Sequence, residues 1–456
     1  MTTGALFGKG STAWRRLALG GVLSGLAAAL PAWSLDLGQA YQAAAENDAS
    51  IRASRSAAVA TRERLPQARA QQRPNVALSA ARNHNDLTSR TQNLLGQPVT
   101  NQNNYYSGSQ TLSVRQPLYR PYAGALVRQA QAQVEDADAT LERDEQALVT
   151  RVAEAYFDAL LAGDQLALVG AQKTTYTTQL DAARKGFAAG SGTRTDVDEA
   201  QARLDLTLAQ ELEAQQNVEF TRRRLEVLTG QPVNQLAVLD VARFVPGAPV
   251  PDSLEAWIER AEQASPELAS LRAQVESARL EIDKAQAGHK PTLDLVAQWS
   301  RTNSDSVTSV NSRYDNKTLG LQLQVPLYAG GQVSSSIRQA VALHERAREM
   351  LEAARRDLGV RVHREFRGMT EGVLRVGALE QAVRSADQAV LSNRQSFRAG
   401  MRTTLDVLNA EQQKTLALRD LAQARYLYLL SRLRLQSLAG EDRMRIVAEI
   451  NAWLMP

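Results

Sequence analysis

The strongest constraint on this chain is that one stretch of it occurs twice. Phe187–Gln201 reads Phe-Ala-Ala-Gly-Ser-Gly-Thr-Arg-Thr-Asp-Val-Asp-Glu-Ala-Gln, and Phe397–Glu411 reads Phe-Arg-Ala-Gly-Met-Arg-Thr-Thr-Leu-Asp-Val-Leu-Asn-Ala-Glu. The pairs Phe187/Phe397, Gly190/Gly400, Thr193/Thr403, Asp196/Asp406, Val197/Val407 and Ala200/Ala410 coincide at a constant offset of 210 (397 − 187). In each copy a Gly ends one helical pattern, and a Thr or Asp after a short polar link can cap the next. Both stretches read as tips of long helical hairpins, and two equivalent tips imply an internal duplication. The repeat extends further. Gln116-Pro117-Leu118-Tyr119 answers Val325-Pro326-Leu327-Tyr328, and Leu225, Leu228 and Gly230 answer Leu435, Leu438 and Gly440.

Ahead of each hairpin the hydrophobic period changes. Leu35–Gln72 is helical in pattern, with Pro66 as an interruption or kink. Val76, Leu78 and Ala80 then alternate with polar neighbours. An Asn-rich polar stretch runs from Asn83 to Asn104, and alternation returns through Leu112, Val114 and Leu118. The second repeat does the same. Leu293, Leu295, Ala297 and Trp299 share one face, residues 301–316 read as a polar loop, and Leu319, Leu321, Leu323, Val325 and Leu327 alternate with Gly and Gln. Each repeat therefore predicts strand, long polar loop, strand. Such alternation suits a membrane barrel, apolar toward lipid and polar toward the lumen. Tyr105, Tyr106, Tyr119, Trp299, Tyr314 and Tyr328 fall near the strand ends, as an aromatic girdle would.

No proline interrupts the chain between Pro121 and Pro232 or between Pro326 and Pro456. Both stretches are rich in Ala, Leu, Gln, Arg and Glu, so long continuous helices are expected. Rows such as Leu148/Val152/Tyr156 and Leu204/Leu208/Leu212 are narrow seams that need neighbours along their length.

The first 34 residues carry Lys9, Arg15 and Arg16, an apolar run from Leu17 to Leu30, and Ala32 and Ser34 at a cleavage-like site. They read as a secretory signal peptide. The net charge of +4 falls to +1 without it (4 − 3), which argues little for nucleic acid. There is no cysteine, hence no disulfide framework, thiolate metal site or lipidated cysteine. The expected divisions are 1–34 signal peptide; 35–230 first repeat, with strands about 75–119 and tip about 187–196; 231–252 joint; 253–440 second repeat, with strands about 292–328 and tip about 397–406; and 441–456 an accessory tail packed outside the helices.

Four strands per chain cannot close a membrane barrel, whose minimum is about eight, so the chain must form a ring with copies of itself. Two or three copies both satisfy this. At this point the doubled arrangement, the Pro-Leu-Tyr strand exits and Gly400–Ala410 (Gly-Met-Arg-Thr-Thr-Leu-Asp-Val-Leu-Asn-Ala) resemble the TolC family of outer-membrane channel-tunnels. The resemblance covers Leu35–Gly440. It implies an α + transmembrane β-barrel fold, closing as a homotrimer with a twelve-stranded barrel in outer-membrane lipid and an α-helical tunnel in the periplasm. It also implies no cofactor, no metal and no enzymatic activity. The partners it implies are a periplasmic adaptor (membrane fusion protein), an inner-membrane pump of the ABC transporter type and an exported substrate.

By the same resemblance Arg402 corresponds to the gate arginine, Asp196 to its partner across a neighbouring hairpin, and Asp406 to an aperture acid. Two positions depart from the pattern: Phe397 stands at the gate tyrosine and Asn409 at a second aperture acid. Asp198 is a candidate to compensate. Gly190, Thr193, Gly400 and Thr403 are the expected adaptor contacts. The leading function is a passive exit duct, for type I protein secretion or for small-molecule efflux. The absence of a lipidated cysteine leans toward secretion. A periplasmic coiled-coil adaptor or scaffold is the alternative class. A hydrolase is weakest, because His84, His289, His344 and His363 are dispersed without ligand spacing or a nucleophile motif.

Overall fold

The computed structural model describes residues 34–304 and 312–455, so the signal-peptide reading lies outside the described residues except for Ser34. Helices α1 (Leu37–Asn47), α2 (Ala49–Arg62) and α3 (Arg64–Ala70) come first. The interruption expected from Pro66 is present between α2 and α3, and a further, unexpected break falls at Asp48. Asp48 starts α2, its carboxylate accepting the Ser50 and Ile51 amides at 2.7 and 3.0 Å. Pro66 acts upstream of itself: its ring is incompatible with the helical carbonyl four residues earlier, at Arg62, where α2 ends.

Strands β1 (Asn75–Gln92) and β2 (Pro98–Tyr119) lead into α4 (Pro121–Ala188), which turns back as α5 (Arg194–Thr229). After β3 (Val238–Leu239) the pattern repeats: α6 (Leu254–Ala264), α7 (Pro266–Gln286), β4 (Thr292–Ser304), β5 (Ser312–Gln324), α8 (Gln332–Arg398) and α9 (Thr404–Leu438). The chain closes with α10 (Arg443–Asn451) and β6 (Leu454–Met455). α4 and α8 run 68 and 67 residues, against 36 and 35 for α5 and α9. At 1.5 Å per residue each long helix is about 100 Å. One half of α4 packs on α5 and the rest on α2, α3 and α7; α8 packs on α9, then on α6 and α7. Each long helix thus has neighbours along its whole length. Among the described residues no helix is long and apolar enough to cross a membrane.

The densest packing lies at mid-height. Leu148, Val152 and Tyr156 of α4 are buried there with Leu429, Leu433 and Ile446. The Tyr156 hydroxyl donates to the Ala237 carbonyl at 2.8 Å and lies 3.0 Å from the Leu35 carbonyl. Tyr428 donates to the Gly247 carbonyl at 2.8 Å and accepts the Gly247 amide at 2.9 Å. Two tyrosines on the helices thereby bond to backbone between the helices, one beside the Leu35–Leu236 bridge and one at Gly247. The tail is not an accessory. Ile446, Val447 and Ile450 are buried, β6 pairs with β3, and Arg443 meets Glu145 of α4 at 2.8 Å. Gly440, at φ +73°, turns the chain into it.

The row Leu204/Leu208/Leu212 does not form an internal seam. α5 turns Ala200, Thr207, Thr221 and Leu225 inward, leaving Leu208 and Leu212 exposed with Leu206 and Phe220. Small residues let α5 approach its neighbours closely, and the large ones face away.

The four long strands form one antiparallel sheet in the order β1-β2-β4-β5. Most of the stretch from Asn83 to Asn104 is strand, not loop: the turn is only residues 93–97, and the ladder runs out to Gln92↔Pro98. Polar composition gave no burial signal there, but antiparallel pairing needs only backbone groups. Of the expected 301–316 loop, Arg301–Ser304 and Ser312–Asn316 are also strand, and 305–311 lie outside the described residues. Register aligns Val76, Val114, Ala297 and Leu319 on one face, with Leu78, Leu112 and Trp299 on the next rung. The opposite face carries Ser113, Arg115, Asp294 and Gln322, with the buried Asp294 carboxylate 2.7 Å from Arg120.

A Cβ at Gly440 would lie 2.3 Å from the Ala264 Cβ, in a backbone conformation that L side chains rarely adopt. Gly440→Ala is therefore expected to destabilise the helical body by about 1–3 kcal/mol. A thermal melt followed by far-ultraviolet circular dichroism checks this, and an unchanged midpoint would remove the joint from the core.

Candidate functional site

Both hairpin tips are built by the same local chemistry. α4 ends at Ala188, Gly190 takes φ +73°, and the Ser191 and Gly192 amides bond back to the Gly186 carbonyl at 3.0 and 3.1 Å. α8 ends at Arg398, Gly400 takes φ +75°, and the Met401 amide bonds to the Ser396 carbonyl at 2.9 Å. A left-handed residue is what satisfies the last carbonyls of a helix that stops abruptly, and glycine adopts it without strain.

The next helix starts with a reciprocal cap. In tip one the Thr193 hydroxyl accepts the Asp196 amide at 3.2 Å, and the Asp196 carboxylate accepts the Thr193 amide and hydroxyl at 3.0 and 2.6 Å. In tip two Thr403 and Asp406 repeat this at 3.3, 2.9 and 2.9 Å. The Thr193 hydroxyl and then its amide hold the Asp196 carboxyl below the usual range, with a weaker contribution from Thr404 of the other tip. For Asp406 the order is the Thr403 amide, its hydroxyl, and then the charge of Arg402.

The tips face each other across a groove of about 850 Å³, lined by Thr178, Asp196, Arg394, Phe397, Arg398 and Arg402 among others. Within one chain Arg402, in the turn before α9, pairs with Asp406 at 3.4 Å. Asp196 lines the same groove, engaged by its cap, and Arg402 makes no ion pair to it within the chain. Asp198 is held by Arg194 at 3.0 Å on the exposed side of α5. Half-exposed Phe397 presents a ring with no polar contact to offer.

Asn409 sits in a contact that the sequence reading missed. Arg203 of α5 donates to the Asn409 side-chain oxygen at 2.7 Å and to that of Gln412 at 2.6 Å, joining the two hairpins on one side of the chain. Arg394 likewise holds the buried Glu411, bridging α8 to α9. Arg203 has no counterpart in the duplication, since Gln413 stands 210 residues on. Its partners are more than 200 residues away, so neither periodicity nor motif signals the bond.

The arrangement is an array of arginines, caps and amides at two adjoining hairpin ends. It can hold two helix pairs together or release them, and it offers a turn-rich surface to a partner.

The profile of a family described as "Outer membrane efflux protein" matches residues 40–231 and 257–441. The chain is 34% identical to the proteases secretion protein PrtF of Dickeya chrysanthemi over 426 residues, covering 92% of each. It is 36% identical to the alkaline protease secretion protein AprF of Pseudomonas aeruginosa over 415 residues, covering 90% of this chain and 85% of the relative. It is 34% identical to the outer membrane protein TolC of Vibrio cholerae, covering 92% and 94%. Among solved structures, the outer-membrane channel OprN superposes with a TM-score of 0.76 at 18% identity, covering 90% of each chain.

The depressed carboxyls set a pH window. Unfolded Asp titrates near 4, so the caps' stabilisation is fully present above that and is lost as pH falls through the lower folded values. Hydrogen exchange of peptides spanning the tips, corrected for intrinsic rates, is expected to be flat from about pH 7 to 5 and to rise only below about pH 4. A rise centred between pH 5 and 7 would show that another group controls the tips.

Proposed function

The chain belongs to the outer membrane efflux protein family as a TolC-like protein of the outer membrane, and from that premise we propose that it is the exit duct of a tripartite export system secreting a protein substrate. The observation that carries the reading is the four-stranded sheet. Its β1 and β5 are each paired on one side only, and its apolar face is bare, with Leu319, Leu321 and Leu323 65–75% exposed. Unpaired backbone and an exposed leucine face fit a chain whose edges are completed by copies of itself in lipid. The TolC resemblance supplies the number: three copies, twelve strands. Exposed Leu206, Leu212 and Phe220 on α5, with Val360, Leu374 and Leu391 on α8, are apolar surface for the subunit seams of the tunnel.

At the tunnel end Arg402 is the gate arginine. On ring closure it exchanges or shares Asp406 with Asp196 of a neighbouring hairpin, across the groove both residues already line. Exposed ion pairs of this kind are weak, about 0–1 kcal/mol each, so the gate opens at small cost. With Phe397 and Asn409 in place of a hydroxyl and a carboxylate, Asp406 is the remaining aperture acid, and Asp198 stays engaged by Arg194. The adaptor docks on the turn surface around Gly190, Thr193, Gly400 and Thr403, and an inner-membrane pump of the ABC type joins it there. Transport along the duct needs no catalytic step.

Type I secretion is favoured because the names of two relatives covered over most of their length, PrtF and AprF, are protease secretion proteins. Small-molecule efflux is the second reading, favoured by the family description.

In planar bilayers the native protein is expected to show a small, cation-leaning conductance. Arg402→Ala should raise it several-fold, and Arg203→Ala to a lesser degree, because neutral acceptors make the weaker bond. Equal conductance in all three proteins would remove both arginines from the gate, and no channel from folded protein would overturn the duct.

A further inference from the structure

Following the apolar sheet face away from the helices shows where it stops. On β5 and the residues after it, Leu327, Val325, Leu323, Leu321 and Leu319 alternate outward and are exposed; the next such position is Lys317. Along β5 the run from Leu323 to Lys317 is six residues, about 16 Å at about 3.4 Å each and a 40° tilt, and exposed Val325 and Leu327 extend it toward the roughly 25 Å apolar band of an outer-membrane barrel.

Above that line the same face turns basic. Lys317 shares a rung with Leu78, Leu112 and Trp299. The next rung is Ala80, Gln110, Arg301 and Asp315, and the one beyond is Arg82, Gly108, Asn303 and Arg313. Asp315 is already engaged, 3.1 Å from Arg301 and accepting the Trp299 indole N–H at 2.9 Å. Among the described residues Arg82, Arg313 and Lys317 have no ion-pair partner: Arg82 lies over the Tyr106 ring at 5.4 Å, and Arg313 donates to the Asn303 side chain at 3.3 Å. The opposite face at these heights is Ser79, Thr111, Ser300 and Asn316, then Ala81, Ser109, Thr302 and Tyr314, with no charge. The cations therefore segregate to the membrane side and are absent from the lumen side at those rungs. Further out the same face carries one residue of each sign, Asp86 and Arg90.

We infer that Arg82, Arg313 and Lys317 form a binding surface for the phosphorylated head group of an outer-leaflet glycolipid, chemically a lipopolysaccharide. The inference rests on the barrel reading above. Arg and Lys donors at the head-group level meet phosphate oxygens through charge-assisted bonds, while the acyl chains lie on Leu78, Leu112 and Leu319. Ring closure completes the surface. β1 of one copy then borders β5 of the next, which brings Arg82 of one chain to the strand beside Arg313 and Lys317 of another. Spaced cations on two chains suit a head group with two phosphates better than a phospholipid with one.

The test uses the full-length trimer in vesicles, with native mass spectrometry counting retained lipid. The probes are bisphosphorylated lipid A, the same lipid with both phosphates removed, and phosphatidylglycerol. The native trimer should retain the bisphosphorylated lipid at least about tenfold over the other two, and a triple variant Arg82→Gln, Arg313→Gln, Lys317→Gln should lose that preference. Equal retention of phosphatidylglycerol, or of the dephosphorylated lipid, overturns the site, as does undiminished retention by a trimeric triple variant. Should that variant fail to assemble, the three-lipid comparison on native protein decides alone. Absence of trimer and of channel current from native protein in the same vesicles would instead overturn the barrel on which the site depends.

Discussion

The sheet end of this architecture depends on backbone hydrogen bonds that one chain cannot complete. β1 and β5 each expose an unpaired edge, and the sheet between them turns a leucine-rich face outward. In lipid such an edge has no water to satisfy it. The proposed ring of copies would complete those edges, and the exposed apolar residues on α5 and α8 are consistent with it in the helical body.

The helical body meets the opposite problem. A helix of about 100 Å has a narrow apolar stripe and needs a neighbour at every turn. Duplication provides those neighbours by laying shorter helices end to end along α4 and α8. The place where they meet end to end is the weak point of such a stack. Here it is secured by Tyr156 and Tyr428 bonding to irregular backbone, and by a tail that docks Ile446 and Ile450 into the core. The tips, at the far end, carry little burial. Their order comes from local caps and from a few arginines that reach between helices.

That division of labour suits an exit duct. The middle is held by burial, which is costly to disrupt, and the tips by exposed polar contacts, each worth little. On the gate proposed above, opening at the hairpin ends would leave that burial intact. The barrel end shows a comparable economy. Beyond the apolar residues, the charge that follows lies on the same face of the sheet, and the opposite face at that height carries hydroxyls, an amide and alanine.

Much of this was legible in the amino-acid order because it is local. The tips at Gly190 and Gly400, the caps at Thr193 and Thr403, the two proline-free helical runs and the four alternating strands depend on residues a few positions apart. Their chemistry is the same wherever they sit. The sequence by itself therefore determined the duplication and most of the elements, and it pointed to the copies that the proposed barrel requires. What it misread was non-local or unsigned by hydrophobicity. The polar strand halves after Asn83 carry no apolar face, the break at Asp48 falls in a run without proline, and the leucines at 208 and 212 face away from their own chain. Tertiary structure alone decided that Asn409 meets Arg203, that the tail belongs to the core, and that Arg82, Arg313 and Lys317 share one face. Those contacts join residues up to hundreds of positions apart, and only the folded register brings them together.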